Sequence, residues 1–231
     1  VPLYKARNQA IKKSNGEIIA FLDTDDWWES NKLEKQISFF DDEKVGVVYS
    51  NCHLFYESNG EKKLFKKKYL KSGYITKNLL RSYDVGILTV LVRKTAYNLA
   101  NGFNDAYSIV GDFDLVIRLS CKWKIACVQE PLAYYRIHSS NFSFKSGKLE
   151  IKELEDWLND KKIYLEEKLK PYLHFTNERI LFLKTIDLIK EKKFFDAIKN
   201  ILIYPIKLNK FKLLFYIILP KKILDKFRSF R

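Results

Sequence analysis

Glu17-Ile-Ile-Ala-Phe-Leu-Asp-Thr-Asp-Asp-Trp-Trp28 is the stretch on which the reading of this chain turns. Ile18 to Leu22 is a short, unbroken apolar run that follows the turn signal Asn15-Gly16. Such a run fits a strand buried on both faces, as in a parallel sheet. Asp23, Asp25 and Asp26 follow at its C-terminal end. In open α/β sheets ligands bind at that edge. Acids this close repel one another unless something positive sits among them. Asp23-Thr-Asp25 can present two carboxylates to one hard cation, and Mg2+ or Mn2+ suits oxygen ligands and commonly bridges to a phosphorylated substrate. The other reading is a loop in which Asp25 or Asp26 caps the next helix.

The 231 residues suffice for one large domain, or for a domain with an appendage. Hydrophobic residues make up 47% and aromatic ones 15%, enough for a sizeable core and against global disorder. The formal charge of +14 suits an anionic partner such as nucleic acid, a membrane surface or a phosphorylated ligand, or else a solvated lysine-rich exterior. Cys52, Cys121 and Cys127 are odd in number and irregularly spaced, which argues against a disulfide framework and for a reducing compartment. Val1 to Ala10 has no signal-peptide character. The longest apolar run, Leu213 to Leu219, falls far short of the roughly 20 residues of a spanning helix. Methionine is absent even at position 1, so the chain is expected to be an internal or C-terminal piece of a longer protein.

Along the chain, Arg7 to Ser14 reads as a helix. Ser30 is a candidate cap for the next one, where Leu33, Ile37 and Phe40 recur at helical spacing and should face the sheet. Val45 to Tyr49, Val85 to Val92, Lys124 to Val128 and Leu132 to Ile137 read as strands, with a hairpin turn at Asn59-Gly60. Asp112 to Leu119 opens a helix with acids in its first turn, where the helix dipole favours them. After about Phe144 the pattern becomes helical, with Glu/Lys pairs at i,i+4 from Glu150 to Leu169 and helices over Asn177 to Lys192 and Phe194 to Tyr204. A boundary is placed near residue 146, between a mixed α/β part (1–146) and an all-helical, basic extension (147–231).

Three segments carry a family resemblance. Ala6-Arg-Asn8, Gly16 to Trp28 and Lys32-Leu-Glu-Lys-Gln36 together resemble the middle of a family 2 glycosyltransferase, whose architecture is the GT-A (Rossmann-like) mixed sheet. The resemblance implies that Asp23 and Asp25 form the Asp-x-Asp motif. Asp25 would be the metal ligand at the nucleotide-sugar diphosphate, and Asp23 would serve the ribose or sugar side. Arg7 and Asn8 match the segment near the donor nucleotide, although Arg7 could equally be a structural salt-bridge partner. Gly102-Phe-Asn-Asp105 and Gly111-Asp-Phe-Asp-Leu115 with Arg118 resemble the segment that holds the general base, here Asp112; Gly111 stands where Glu is frequent. An ordinary Asp, with pKa near 3.9, still serves if the proton leaves as the sugar bond forms. Capping of its helix is the competing role for Asp112. Glu130 to His138, with Ser139, Asn141 and Ser143, resembles a third segment. It implies that His138 completes the metal site, neutral imidazole being acceptable to Mn2+, and that Arg136 lies near the diphosphate.

What the resemblance implies is an inverting single displacement, from a nucleotide-diphosphate sugar to a glycan or lipid-linked acceptor, in cell-surface polysaccharide synthesis. It covers residues 1–146. The family's two opening strands, which bind the base, do not occur here, so a sheet incomplete at its N-terminus and weak donor binding by this piece are expected. The basic, apolar tail suits an anionic membrane through 205–231, with Leu213 to Leu219 dipping inward, or else a helical subdomain packed on the catalytic part. A cytoplasmic location, peripheral on the inner face of the plasma membrane, goes with the former. Two other readings compete. A haloacid dehalogenase-type phosphatase would use Asp23 as nucleophile, but Trp27 stands where Thr or Val is usual. A basic membrane- or nucleic-acid-binding protein rests on charge alone and leaves the acidic segments unexplained, so no nucleic acid is expected as a partner.

Overall fold

The computed structural model describes residues 1–141, 146–164 and 166–219; Ser143 and the end of the tail, 220–231, lie outside the described residues. The chain divides into two compact units, Val1–Asn141 and Phe142–Arg231.

The first unit is a mixed α/β fold around one sheet. Helix α1 (Leu3–Lys13) turns Tyr4 and Ile11, one heptad apart, into the core. Strand β1 (Ile18–Ala20) follows, then β2 (Trp27–Trp28), α2 (Lys32–Ile37), β3 (Val45–Tyr56), β4 (Glu61–Leu64), α3 (Thr76–Arg81), β5 (Leu91–Arg93), α4 (Lys94–Leu99), α5 (Gly111–Ser120) and β6 (Lys124–Ile137). The sheet order is β1-β5-β3-β6-β2, with β4 paired to the far half of β3. β3 and β6 run parallel at the centre and every other pairing is antiparallel.

Three expectations change here. β1 is not a central parallel strand: it pairs antiparallel with β5 at the end of the strand order, Ile19 opposite Val92. Its residues alternate, Ile19 and Phe21 buried, Ala20 and Leu22 exposed. The segment Val85 to Val92 contributes a 3-10 turn (Ile87–Thr89) and then β5, because Thr89 Oγ1 and N both return to the Gly86 carbonyl and curl the chain. And α2 presents not Leu33 and Ile37 but Lys32 and Gln36 to the interior, both fully buried. Its inner face is fixed by polar contacts. Gln36 Nε2 donates to the Thr89 carbonyl at 2.9 Å, and Lys32 Nζ lies 4.4 Å from the centre of the Trp28 ring.

β6 is one strand where two were expected. Pro131 interrupts its ladder opposite Asn51, where the register with β3 shifts. Proline has no N–H to give, and a bulge absorbs the gap. The Asn51 side chain stitches the neighbouring chain instead, donating to the Lys66 carbonyl at 2.8 Å and accepting from Lys66 N at 3.2 Å.

The second unit is helical: α6 (Gly147–Tyr164), α7 (Glu166–Leu169), a 3-10 turn at Pro171, α8 (Leu173–Lys190), α9 (Phe194–Ile203) and α10 (Leu208–Ile218). Ile186 and Ile189 of α8, Ala197 and Ile201 of α9, and Leu213 and Tyr216 of α10 form its core. Glu150 and Glu155 pair across to α8, with Arg179 at 2.9 Å and Lys184 at 2.5 Å. No helix among the described residues is long and apolar enough to cross a membrane.

Candidate active site

The three acids after β1 each find a separate partner. Asp23 is ion-paired with Arg7, which α1 delivers. Asp25 Oδ2 lies 2.9 Å from Nε2 of His138, which arrives just beyond the end of β6. Asp26 Oδ1 accepts the Arg136 backbone N–H at 2.9 Å. Burial pushes the Asp26 carboxyl up to about 7, against that hydrogen bond and with help from the charges of Asp25 and Asp23. The repulsion the sequence raises is therefore relieved by the Arg7 guanidinium, by the contact of Asp25 with the His138 ring, and by burial that favours the protonated form of Asp26.

The pairing of β2 with β6 brings the second and third segments of the motif together. Trp27 lies opposite Tyr134 and the two rings stack at 4.9 Å. Arg136 then sits over Trp27 at 5.1 Å, donates from Nε to the Asp25 carbonyl at 2.8 Å, and reaches Glu57 at 3.4 Å. Asn141 closes the turn after β6. Its Oδ1 accepts from His138 N at 2.6 Å and its Nδ2 donates to the Arg136 carbonyl at 3.1 Å, so the imidazole is held against Asp25 by its own loop. His138 Nδ1 lies 2.7 Å from Ser140 Oγ.

Asn8 plays a different part from Arg7. Its amide donates to the Phe103 carbonyl at 2.9 Å and to Asp105, and it accepts from Phe103 N at 3.0 Å and from the Tyr97 hydroxyl. It clamps the turn at Gly102, a residue at φ +65° whose Cβ would approach Asn8 Oδ1 to 2.9 Å. Asp112 stands in the first turn of α5, whose N-cap is Val110. Its carboxylate accepts the next N–H, of Phe113, at 2.7 Å, and its own N–H donates to the Tyr4 hydroxyl at 3.2 Å. Tyr4 links the two acidic centres, since the Arg7 guanidinium that holds Asp23 lies 5.6 Å from the centre of the Tyr4 ring. Gly111 is required there: a Cβ on it would meet the Tyr4 ring at 2.5 Å.

Of the residues singled out in the sequence, the fold gathers Asp25, Arg136 and His138 into one contact group and joins Asp23 to Arg7. It brings Asp112 up through Tyr4 and commits the Asn8 side chain to the turn at 102–105. Tyr4, Asp26 and Asn141 are the members the sequence reading left out of the site. Asp26 lies beside the motif, and its signal is an acid directly before a Trp-Trp strand that must bury it.

Among the described residues no three His, Cys, Asp or Glu side chains cluster as a metal cage. The donor set fits a cation shared with a ligand. Asp25 and His138 offer one carboxylate and one imidazole, their facing atoms already at hydrogen-bond distance, and Mg2+ or Mn2+ completes its shell from phosphate oxygens.

The sequence model described as glycosyl transferase family 2 matches residues 3–98. The UDP-Glc:alpha-D-GlcNAc-diphosphoundecaprenol beta-1,3-glucosyltransferase WfgD of Escherichia coli is 29% identical over 181 residues, 78% of this chain and 67% of that one. The amylovoran biosynthesis glycosyltransferase AmsB of Erwinia amylovora is 25% identical over 166 residues, 69% of this chain and 55% of that one. The mannosyltransferase PcManGT from Pyrobaculum calidifontis, solved with GDP-Man and Mn2+, has the same fold, with a TM-score of 0.55 at 14% identity over 98% of this chain and 63% of its own. The chain thus spans between about half and two thirds of these relatives. The fold is GT-A-like. Over residues 3–98 the chain is similar to the family 2 glycosyltransferases.

Proposed function

We propose that the chain carries the cation-binding and base-bearing part of an inverting glycosyltransferase, which moves a sugar from a nucleotide diphosphate to a lipid-linked or glycan acceptor in polysaccharide synthesis. The observation that carries this is the meeting of Asp25 and His138 at 2.9 Å, from positions 113 residues apart in the chain. Asp25 and His138 would hold Mn2+ or Mg2+, which when bound supplies positive charge to the departing diphosphate. Arg136, packed over Trp27, presents a planar donor fork suited to phosphate oxygens. Arg7 holds Asp23 oriented towards the donor's ribose or sugar, and Asn8 fixes the turn that leads into α5. Asp112 receives the acceptor's hydroxyl proton as that oxygen bonds to the anomeric carbon and the bond to diphosphate breaks on the opposite face. The phosphatase reading needs Asp23 as a nucleophile, and its ion pair with Arg7 works against that.

The lipid-linked acceptor class rests on the relatives' names. It is the reason for proposing a place on the inner membrane face and contact with an anionic lipid surface through 205–231. The test is sugar transfer from UDP- and GDP-sugars with Mn2+, using the protein in its full natural length. Asp112→Asn should lower kcat by at least a hundredfold with little change in donor KM. Asp25→Asn and His138→Ala should each weaken Mn2+ dependence by tenfold or more. Unchanged kcat in Asp112→Asn would overturn the assignment of the base.

A further inference from the structure

α9 and α10 are apolar on two faces. One face of each enters the core of the second unit: Ala197 and Ile201 from α9, Leu213 and Tyr216 from α10. The other face is open. On α9, Phe195, Ile198 and Leu202 recur at helical spacing and are 45–72% exposed. On α10, Leu208, Phe211, Phe215 and Ile218 form a second stripe, 59–80% exposed. The linker adds Ile206, 84% exposed. A helix that is apolar all round is ordinarily covered all round, and contiguous exposed apolar surface on this scale marks a docking face. The charge on the same segment says what covers it. From Lys192 to Leu219 there are six lysines and one acid, Asp196; Lys193 and Lys207 pair with Glu191 and Glu178 outside the segment, which still leaves a cationic surplus. A protein partner's apolar patch would not call for that surplus; a bilayer with anionic headgroups does, because aromatic and branched side chains enter the acyl boundary while lysines stay at the phosphates.

We infer that the α9–α10 hairpin is a membrane-docking surface, with the Phe195/Leu202 and Phe211/Phe215 stripes entering an anionic phospholipid leaflet and Lys199 and Lys212 lying at its headgroups. The inference rests on the proposed membrane-bound acceptor but differs from the tail-only reading, since half of the surface lies N-terminal to residue 205 and the inward-facing Leu213 is no part of it. Lys199 stands 4.3 Å over the Phe195 ring, which keeps a cation beside the apolar stripe of α9.

The test is flotation of the 231-residue protein with vesicles of phosphatidylcholine containing 30% phosphatidylglycerol, and with vesicles of phosphatidylcholine alone. Binding should be at least tenfold stronger to the anionic vesicles and should fall at 0.5 M NaCl. Phe195→Ser with Leu202→Ser should reduce it tenfold or more with the helical circular dichroism unchanged, and Phe211→Ser with Phe215→Ser likewise. Full binding by the α9 double variant would overturn the inference in favour of the tail alone. So would equal binding to neutral vesicles. A dimer that dissociates in the Phe211/Phe215 variant, without vesicle binding by the parent, would mean that a second copy covers this face. Asp112→Asn should float like the parent, so loss of transfer and loss of docking are read separately.

Discussion

At the residue scale the informative side chain is Asp26. Its neighbours Asp23 and Asp25 have Arg7 and His138; Asp26 has one backbone N–H and the interior of the unit. Its folded-state pKa of about 7 lies above the ordinary 3.8, so the fold prefers the protonated form. The stability it gives is complete below pH 4 and is lost as pH rises through 7. At 1.36 kcal/mol per unit the full loss is on the order of 4 kcal/mol, less whatever solvent screening of the partly exposed carboxyl removes. Asp26→Asn keeps an oxygen for the Arg136 N–H and removes the charge. In the presence of a chelator, urea midpoints of the parent should fall between pH 5 and pH 8, while those of the variant stay level and exceed the parent's at pH 8. A parallel decline in both proteins would mean that other groups set the slope. The sequence announced this cluster of acids but not their separate fates. Which acid meets His138 and which is left to be buried depends on the β2–β6 pairing, and that pairing joins residues more than a hundred apart.

At the scale of elements, α2 and α5 depart from their apolar patterns for opposite reasons. α2 buries Lys32 under Trp28, whose indole N–H donates to the Leu88 carbonyl at 2.8 Å. Among the described residues the Lys32 Nζ has no hydrogen-bond partner, and burial lowers its pKa from 10.5 to about 8. Below pH 8 the fold bears the whole cost of a desolvated ammonium. Between pH 8 and 10.5 the unfolded chain holds more protons at this site, so stability rises with pH. Lys32→Met keeps the stem and drops the charge. It should raise stability at pH 7 by about 2 kcal/mol, the Trp28 contact offsetting part of the desolvation, and should abolish the rise above pH 8. A destabilised variant would show that the ammonium has a bound partner such as water. On α5 the close packing of Gly111 against Tyr4 is a steric matter. Gly111→Ala alone should cost about 1 to 3 kcal/mol by overpacking. In a Tyr4→Ala background the same change should be neutral or stabilising, as expected for Ala over Gly in a helix. Additive costs would show that the two positions do not share the space. Periodicity reveals an amphipathic helix but not a polar residue recruited to its inner face, which explains why the sequence predicted Leu33 and Ile37 inward. It also reads a proline as a stop, whereas the bulge opposite Asn51 lets β6 run on through Pro131.

At the scale of the whole molecule, the legible features are those that depend on composition over long stretches: the change from mixed α/β to helical, and the excess of lysine. The exposed apolar stripe of α9 was not legible, because one sequence cannot say which of two apolar faces a neighbouring helix will cover. The excess charge has a consequence for stability that can be settled by magnitude. There are 42 Lys and Arg against 28 Asp and Glu, so +14 remains uncompensated. Described surface pairs such as Lys63–Glu61 at 3.1 Å and Lys184–Glu155 at 2.5 Å contribute little each, and salt weakens them. Salt also weakens repulsion among the surplus cations, which acts over many more pairs at separations near the Debye length of about 10 Å at 0.1 M. The second effect outnumbers the first, so added salt should stabilise the fold. A relief of about 1 kcal/mol corresponds to ~2–4 °C for a chain of this size. Calorimetric Tm at pH 7 should therefore rise by that amount between 20 mM and 300 mM NaCl. Sodium sulfate at equal ionic strength should give a larger rise, through its exclusion from apolar surface. A Tm that falls with NaCl would mean that local ion pairs, not net charge, dominate the electrostatics of this protein.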